Sequence, residues 1–262
     1  MKICIPSKGR ASEMKTPLFF KPSEVLIFAE PQEVKRYKIF WPDYTIVDIK
    51  KSDQGIVYVR NFIIDYVKED KILMIDDDAN YIGVRNKDNR YDKINNFEEF
   101  LNTVETGLDK YWAYGIPFDC YAFFTNKNTN QQRFFVNKEC LVACFGCNIK
   151  KIKENNIKYD TTISEGEDLD FTAQILLKNG SICTDYRYSS NFDMRTPGGL
   201  TSIRKISNFS QDLSIRQGVE KMVEKYGAEF IRINRDKNGY LKSYRVSLRL
   251  LLKRKEIAIK NF

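Results

Sequence analysis

The apolar run Ile72-Leu73-Met74-Ile75 passes without a spacer into three acids, Asp76-Asp77-Asp78. That junction sharply limits the architectures open to the chain. Four consecutive apolar residues suit a strand covered on both faces, as in the interior of a parallel sheet. Carboxylates are too costly to follow into that interior, so the strand must end where they begin. The residues upstream fit the same plan. Ile3-Cys4-Ile5, Val25–Ala29 and residues 44–49 read as short strands. A helix is expected from Pro31 through Gln32-Glu33-Val34-Lys35-Arg36-Tyr37, with acids early and bases late, as the helix dipole favours. A second helix is expected over residues 55–68, with Ile56, Val59, Ile63 and Val67 on one stripe. This alternation predicts an α/β fold with a mostly parallel central sheet covered by helices. Ligands of such sheets sit beyond the carboxyl ends of the strands. The loop Pro6-Ser7-Lys8-Gly9-Arg10 and the Asp triplet both fall there.

The second half mixes its elements. Residues 96–110 read as a helix capped by Asn96, with Phe97, Phe100, Leu101 and Val104 facing inward. Residues 112–124 and 133–149 read as strands of a mixed sheet, separated by a polar hairpin loop or flap over 125–132. Residues 167–178 form a helix stopped by Asn179-Gly180, residues 181–188 a strand, and Pro197-Gly198-Gly199 a turn. Another helix covers 213–225, ahead of Gly227. Asn238-Gly239 signals a hairpin in the tail. Alternatively, a helix from Leu241 would gather Lys242, Arg245, Arg249 and Lys253 on a face opposite Leu241, Tyr244, Leu248 and Leu251. The expected organisation is a domain over 1–200 and a C-terminal basic extension over 201–262 that packs on it.

The acids carry the clearest chemistry. Hard divalent ions take oxygen ligands, and Mg²⁺ typically uses one or two carboxylates plus substrate phosphates. Asp76 and Asp78 share a face if the strand persists through them. A metal there would clamp a diphosphate and stabilise it as a leaving group; the plainer reading is a solvated acidic turn. The chain has no His, so any metal site must use oxygen or thiolate. Of its 6 Cys, only Cys144 and Cys147 form a CxxC, and no second pair completes a zinc site. Buried structural thiols are expected instead. A second acidic block, Glu165-Gly166-Glu167-Asp168-Leu169-Asp170-Phe171, opens a helix, where the dipole alone would favour acids. With a metal site upstream and no His, Asp168 is the candidate general base, supported by Glu167. Arg10 and the pair Arg60-Asn61 are candidates for phosphate, with surface salt bridges as the alternative. Arg195-Thr196-Pro197-Gly198-Gly199 offers backbone amides to an anion, or is simply a loop.

Taken together, Ile5 to Arg10, Gly55 with Val59-Arg60-Asn61-Phe62, Ile72 to Asp78, Gly166 to Phe171 and Gly198-Gly199-Leu200 resemble the TET-associated glycosyltransferase family. The resemblance covers roughly residues 3–200. The Asp triplet and the Glu-Asp-x-Asp block are shared with GT-A enzymes generally; the Pro-Ser-Lys-Gly-Arg loop and the Arg-Asn pair discriminate better. The resemblance implies a GT-A-like, Rossmann-type mixed sheet flanked by helices. It implies a metal-dependent hexosyltransferase, largely of bacteriophages, that moves a sugar from a UDP-sugar, with glucose the expected sugar, onto a 5-hydroxymethylpyrimidine in DNA. By the same resemblance, Pro6, Ser7 and Arg10 line the nucleotide pocket, with Arg60, Asn61 and Asp77 near it and Gly198 and Gly199 beside the donor. Asp76 faces the sugar or ribose, Asp78 ligates Mn²⁺ or Mg²⁺, and Asp168 is the base for an inverting transfer. Many GT-A enzymes add a late His ligand. This chain has none, and Asp193, or failing that Asn191, stands in its place.

A formal charge of +8 favours polyanionic partners or ordinary solubility. Arg232, Arg235, Lys237, Lys242, Arg245, Arg249, Lys253, Arg254 and Lys255 gather late, with Phe230, Tyr240 and Tyr244 interleaved for base stacking. A DNA acceptor is therefore expected. The rivals are a transferase acting on a surface polysaccharide, lipid or protein, a non-catalytic DNA-binding protein, and a metal-dependent nuclease. Met1-Lys2 leads straight into a strand, and no apolar stretch is long enough for a bilayer. The expectation is a cytoplasmic chain, in the host cell if phage-encoded, with no stable membrane association and no obligate protein partner.

Overall fold

The computed structural model describes residues 1–88, 90–119, 134–137, 139–163, 165–192, 208–235 and 241–260. The central sheet is built from β1 (Lys2–Pro6), β2 (Val25–Ala29), β3 (Thr45–Asp48), β4 (Lys71–Ile75), β7 (Ala113–Gly115), β8 (Phe134–Val136), β9 (Cys144–Asn148) and β10 (Ile182–Asp185). Their order is β3-β2-β1-β4-β9-β7-β10-β8. The first four strands are parallel, with Ile3 opposite Val25 on one side and Leu73 on the other. β9 runs antiparallel to β4 and β7, which makes the sheet mixed. A second sheet joins β11 (Tyr188–Phe192), β5 (Ala79–Arg85) and β6 (Tyr91–Lys93). Neither β5 nor β6 is expected from the sequence pattern.

Period-2 alternation along β4 sends Ile72 and Met74 into one hydrophobic cluster and Leu73 and Ile75 into the other. The sheet is thus buried on both faces, as its unbroken apolar run requires. On one face lie α1 (Val34–Phe40) and α3 (Phe97–Lys110), through Tyr37, Phe100, Val104 and Leu108. The other face takes α2 (Gly55–Tyr66), α4 (Ile149–Glu154) and α5 (Glu167–Leu177), through Val57, Ile63, Ile64, Ile152, Phe171 and Ile175. The same cluster receives Val219, Met222 and Tyr226 from α6 (Asn208–Tyr226) and Leu248 and Leu251 from α7 (Leu248–Lys260). Helix α3 presses closely on the sheet. A Cβ on Gly107 would lie 2.3 Å from the Tyr114 ring, and one on Gly146 2.6 Å from Val104.

Several boundaries differ from the sequence reading. Helix α1 begins at Val34 rather than Pro31. Asn96 does cap α3, accepting the Glu99 N–H at 3.1 Å. The strand expected over 112–124 stops at Gly115. The Pro117 carbonyl accepts Ser190 N–H at 2.8 Å, and the chain crosses there to the second sheet; residues 120–124 lie outside the described residues. The strand expected over 133–149 divides into β8 and β9, with Asn137 between them at φ 56°. Residues 181–188 divide into β10 and β11, because the Asp185 carboxylate accepts Arg187 N–H at 2.9 Å and turns the chain. In the tail, β12 (Ile231–Arg235) and β13 (Leu241–Val246) pair antiparallel, and helix begins only at Leu248. Lys242 and Arg245 therefore belong to a strand, and Arg249 and Lys253 to a helix. Cys144 and Cys147 are free, buried and in opposite clusters, so the CxxC cannot act as one ligand pair.

The stripe on α2 is also displaced. Val57, Arg60, Ile63 and Ile64 are its buried residues, while Ile56 and Val59 are only partly covered. The helix is turned so that a cation, Arg60, points inward.

Candidate active site

Strand β4 ends at Ile75, and Asp76-Asp77-Asp78 form a turn rather than more strand. The three carboxylates consequently diverge. The turn is held by Thr16, whose hydroxyl donates to the Asp76 carbonyl at 2.7 Å and accepts the Ala79 N–H at 3.0 Å. Asp76 N–H donates to the Ala143 carbonyl at 2.9 Å.

Asp77 points down into the loop after β1. It is buried and accepts from Arg10 Nη1 at 2.7 Å and from the Ser7 hydroxyl. Ser7 in turn accepts from the Tyr37 hydroxyl at 2.7 Å, and Tyr37 accepts the Arg10 N–H at 3.2 Å. Arg10 Nη1 also reaches Asp78 Oδ2 at 2.9 Å. Pro6 closes β1 and is buried beside this network. Arg10 is therefore the counter-charge of the Asp turn and not a surface salt bridge.

Asp76 turns the other way, toward Arg60 Nη2 at 3.7 Å. Arg60 Nη1 donates to Glu167 Oε1 at 3.1 Å and to Asp168 Oδ1. Those acids open α5, where Gly166 takes a left-handed φ of 91° that a side chain would resist. Asn61 is engaged with the chain itself: its amide donates to the Tyr159 carbonyl at 2.8 Å and its carbonyl accepts Tyr159 N–H at 2.9 Å. Asp170 belongs to another network. Fully buried, it accepts from Tyr226 at 2.6 Å and Gln174 at 2.6 Å and pairs with Lys225 at 2.7 Å.

Five carboxylates (Asp76, Asp77, Asp78, Glu167 and Asp168) thus face two guanidinium groups. The imbalance appears in their acidities. Burial pushes Asp76 up to about 7 against the pull of Arg60, with Asp78 and Asp77 adding to the rise. Burial and the Asp77 charge push Asp78 up to about 6 against Arg10. Burial and Asp168 push Glu167 up to about 7 against Arg60. Asp77 is raised by burial, and Arg10 and Ser7 oppose this. Burial works against the charge of Arg60, but Asp168, Asp76 and Glu167 outweigh it and hold the guanidinium firmly protonated. Five carboxylates against two guanidinium groups leave the cluster short of positive charge, the condition under which a hard divalent cation is favoured.

Among the described residues no three acids or thiols already form a metal cage. Asp193, Gly198 and Gly199 lie outside the described residues. Asn191 is hydrogen-bonded to Asn80 at 3.0 Å and to Asp119 at 3.2 Å. A groove lined by Asn96, Thr103, Tyr111, Phe134 and Arg187 lies elsewhere and includes none of the expected site residues. The sequence reading missed Thr16, Tyr37 and Tyr159, which act through a hydroxyl or a ring face; no local pattern marks such roles.

Solved structures share this architecture. The mannosyltransferase PcManGT from Pyrobaculum calidifontis, in complex with GDP-Man and Mn²⁺, is 12% identical, with 85% of this chain and 64% of that one covered and a TM-score of 0.51. Glucosyl-3-phosphoglycerate synthase from Mycobacterium tuberculosis, with Mn²⁺, UDP-glucose and phosphoglyceric acid, is 8% identical over 95% of this chain and 90% of that one, with a TM-score of 0.51. GalNAc-T7 with UDP, GalNAc and Mn²⁺ is 8% identical over 99% and 57%, with a TM-score of 0.52. At these identities the likeness is one of fold. No curated protein matches the sequence. The mixed sheet, with its acidic turn after a buried strand and an acid pair on the facing helix, has the GT-A fold. The family model for TET-Associated Glycosyltransferase matches residues 1–197, and the chain belongs to that family.

Proposed function

We propose that the chain transfers a hexose, glucose in the first instance, from a UDP-sugar to the hydroxyl of a 5-hydroxymethylpyrimidine in DNA. The observation that carries the reading is the pairing of the Asp76–Asp78 turn with Glu167 and Asp168 around Arg60. It brings a cation-seeking group and a candidate base to one place at the sheet's carboxyl edge. Asp78 and Asp76 would hold Mn²⁺ or Mg²⁺, with Asp193 the candidate further ligand. A cation bound there would supply positive charge to the diphosphate as it leaves. Pro6, Ser7 and Arg10 form the nucleotide side of the site, with Asp77 fixing their loop; Gly198 and Gly199 are assigned to the donor side from the family motif. Asp168 takes the proton of the acceptor hydroxyl while that oxygen bonds to the anomeric carbon and the bond to the UDP oxygen breaks.

The DNA acceptor is supported by the +8 charge and by exposed Arg232, Arg249 and Lys253 in the C-terminal elements. No described helix is long and apolar enough to cross a membrane. The test is a donor screen with Mn²⁺, with and without hydroxymethylated DNA, measuring free UDP and product mass. UDP release that requires both UDP-glucose and hydroxymethylated DNA, and that weakens with salt, is expected. Transfer only to polysaccharide, lipid or protein overturns the acceptor assignment. Nicking of plasmid by Mg²⁺ and the protein alone would point to a nuclease instead.

A further inference from the structure

We infer that Arg60 is a positioning residue for the transfer step: its guanidinium fixes the Asp168 carboxylate for proton abstraction and does not contact the donor phosphates. The inference rests on the proposed transferase reading, in which Asp168 is the base. A phosphate-binding arginine needs its N–H groups turned to the open pocket. Arg60 is 4% exposed, and its Nη1 is committed to Asp168 and Glu167. Its Nη2 approaches Asp76 at 3.7 Å.

The arginine is also fixed in orientation. Its guanidinium lies 5.5 Å from the Tyr159 ring centroid, within cation–π range. Tyr159 stacks on Phe171, with centroids 4.2 Å apart and planes within 1°. Phe171 lies on α5, one turn after Asp168. Asn61, the neighbour of Arg60, pins the Tyr159 backbone in both directions. The arginine and the acid it holds are therefore seated on one platform that joins α2 to α5. Nε is buried without a partner among the described residues, so the two Nη groups and the ring face set the pose. Asp168 stays 29% exposed, and only its Oδ1 is bonded among the described residues. Its Oδ2 is left for the acceptor's proton. Asp76, on the donor side, and Asp168, on the acceptor side, thus share one counter-charge.

The test compares wild type, Arg60→Met and Arg60→Lys in transfer kinetics, with calorimetry of UDP and Mn²⁺ binding and a thermal melt. Arg60→Met is expected to lower kcat by about 100-fold, the scale of a mispositioned general base. Its donor KM and its affinity for UDP, both at saturating Mn²⁺, should stay within about threefold, since no donor contact is lost. Arg60→Lys should recover part of kcat, because it keeps the charge but loses the planar fork. A raised donor KM or weakened UDP binding at unchanged kcat makes Arg60 a donor contact and overturns the inference alone. If Arg60→Met does not fold, the same split read in Arg60→Lys decides. A wild-type chain that transfers from no nucleotide sugar overturns the transferase reading and this inference together.

Discussion

Replacing Asp170 by Ala should destabilise the protein without touching the reacting groups. Asp168 and Asp170 sit two residues apart on α5, about 200° around the helix. Asp168 therefore faces Arg60 while Asp170 faces the core and the C-terminal elements. The Asp170 carboxylate is completely buried and has three partners: Tyr226 at 2.6 Å, Gln174 at 2.6 Å and Lys225 at 2.7 Å. A hydrogen bond to a charged group contributes about 1.5–3 kcal/mol, and removing one member of a buried pair costs about 3–5 kcal/mol because the other is left uncompensated. Lys225 keeps Asp160 as a second partner at 2.8 Å, so the lower end of that range applies. About 3 kcal/mol in a chain of this size lowers Tm by roughly 6–12 °C. Circular dichroism melts of wild type, Asp170→Ala and Tyr226→Phe, with the double variant to complete a cycle, would measure it. The two changes should couple, because Tyr226 and Asp170 share one bond. An Asp170→Ala variant melting within about 2 °C of wild type would refute the assignment of this acid as the anchor of α6 on α5.

Asp78→Ala should lose roughly 100- to 1000-fold in turnover, measured as UDP release with Mn²⁺, for want of charge on the leaving group. Full activity of that variant in EDTA would end the metal reading. Asp160→Asn should cost about 1 kcal/mol at neutral pH, read from urea midpoints. Burial acts to raise Asp160, but Lys225 and Thr162 outweigh it and hold the group down at about 2, below the usual carboxylate value near 4. The contribution is present above pH about 4 and is lost as the pH falls through about 2. A gap between variant and wild type that persists below pH 2 would contradict the sign.

The strands β1, β2, β3 and β4 were legible because each is a short apolar run with a turn signal after it, and their alternation with helices dictates a parallel sheet. The capped helix α3 was legible from Asn96 for the same local reason. The second sheet was not: Ala79–Arg85 follows directly on the Asp turn, and its partner Tyr188–Phe192 lies more than a hundred residues away. Pairing at that distance leaves no mark in a local pattern. The acids of the site were visible as residues, but not their directions. Extending β4 through Asp78 would align Asp76 with Asp78; the turn instead sends Asp76 to Arg60 and Asp78 to Arg10. Hydrophobic periodicity also hides Arg60, because it counts a buried cation as polar and turns α2 by about one residue.

The Arg10–Asp77 pair has a consequence for the proposed nucleotide side of the site. Both side chains are at most a tenth exposed, and Ser7 and Tyr37 complete their bonding. Pulling the 7–10 loop away would strand two charges in a poorly solvated place, at several kcal/mol. That loop is therefore rigid before any ligand arrives, and a nucleotide bound there as proposed need not spend binding energy on ordering it.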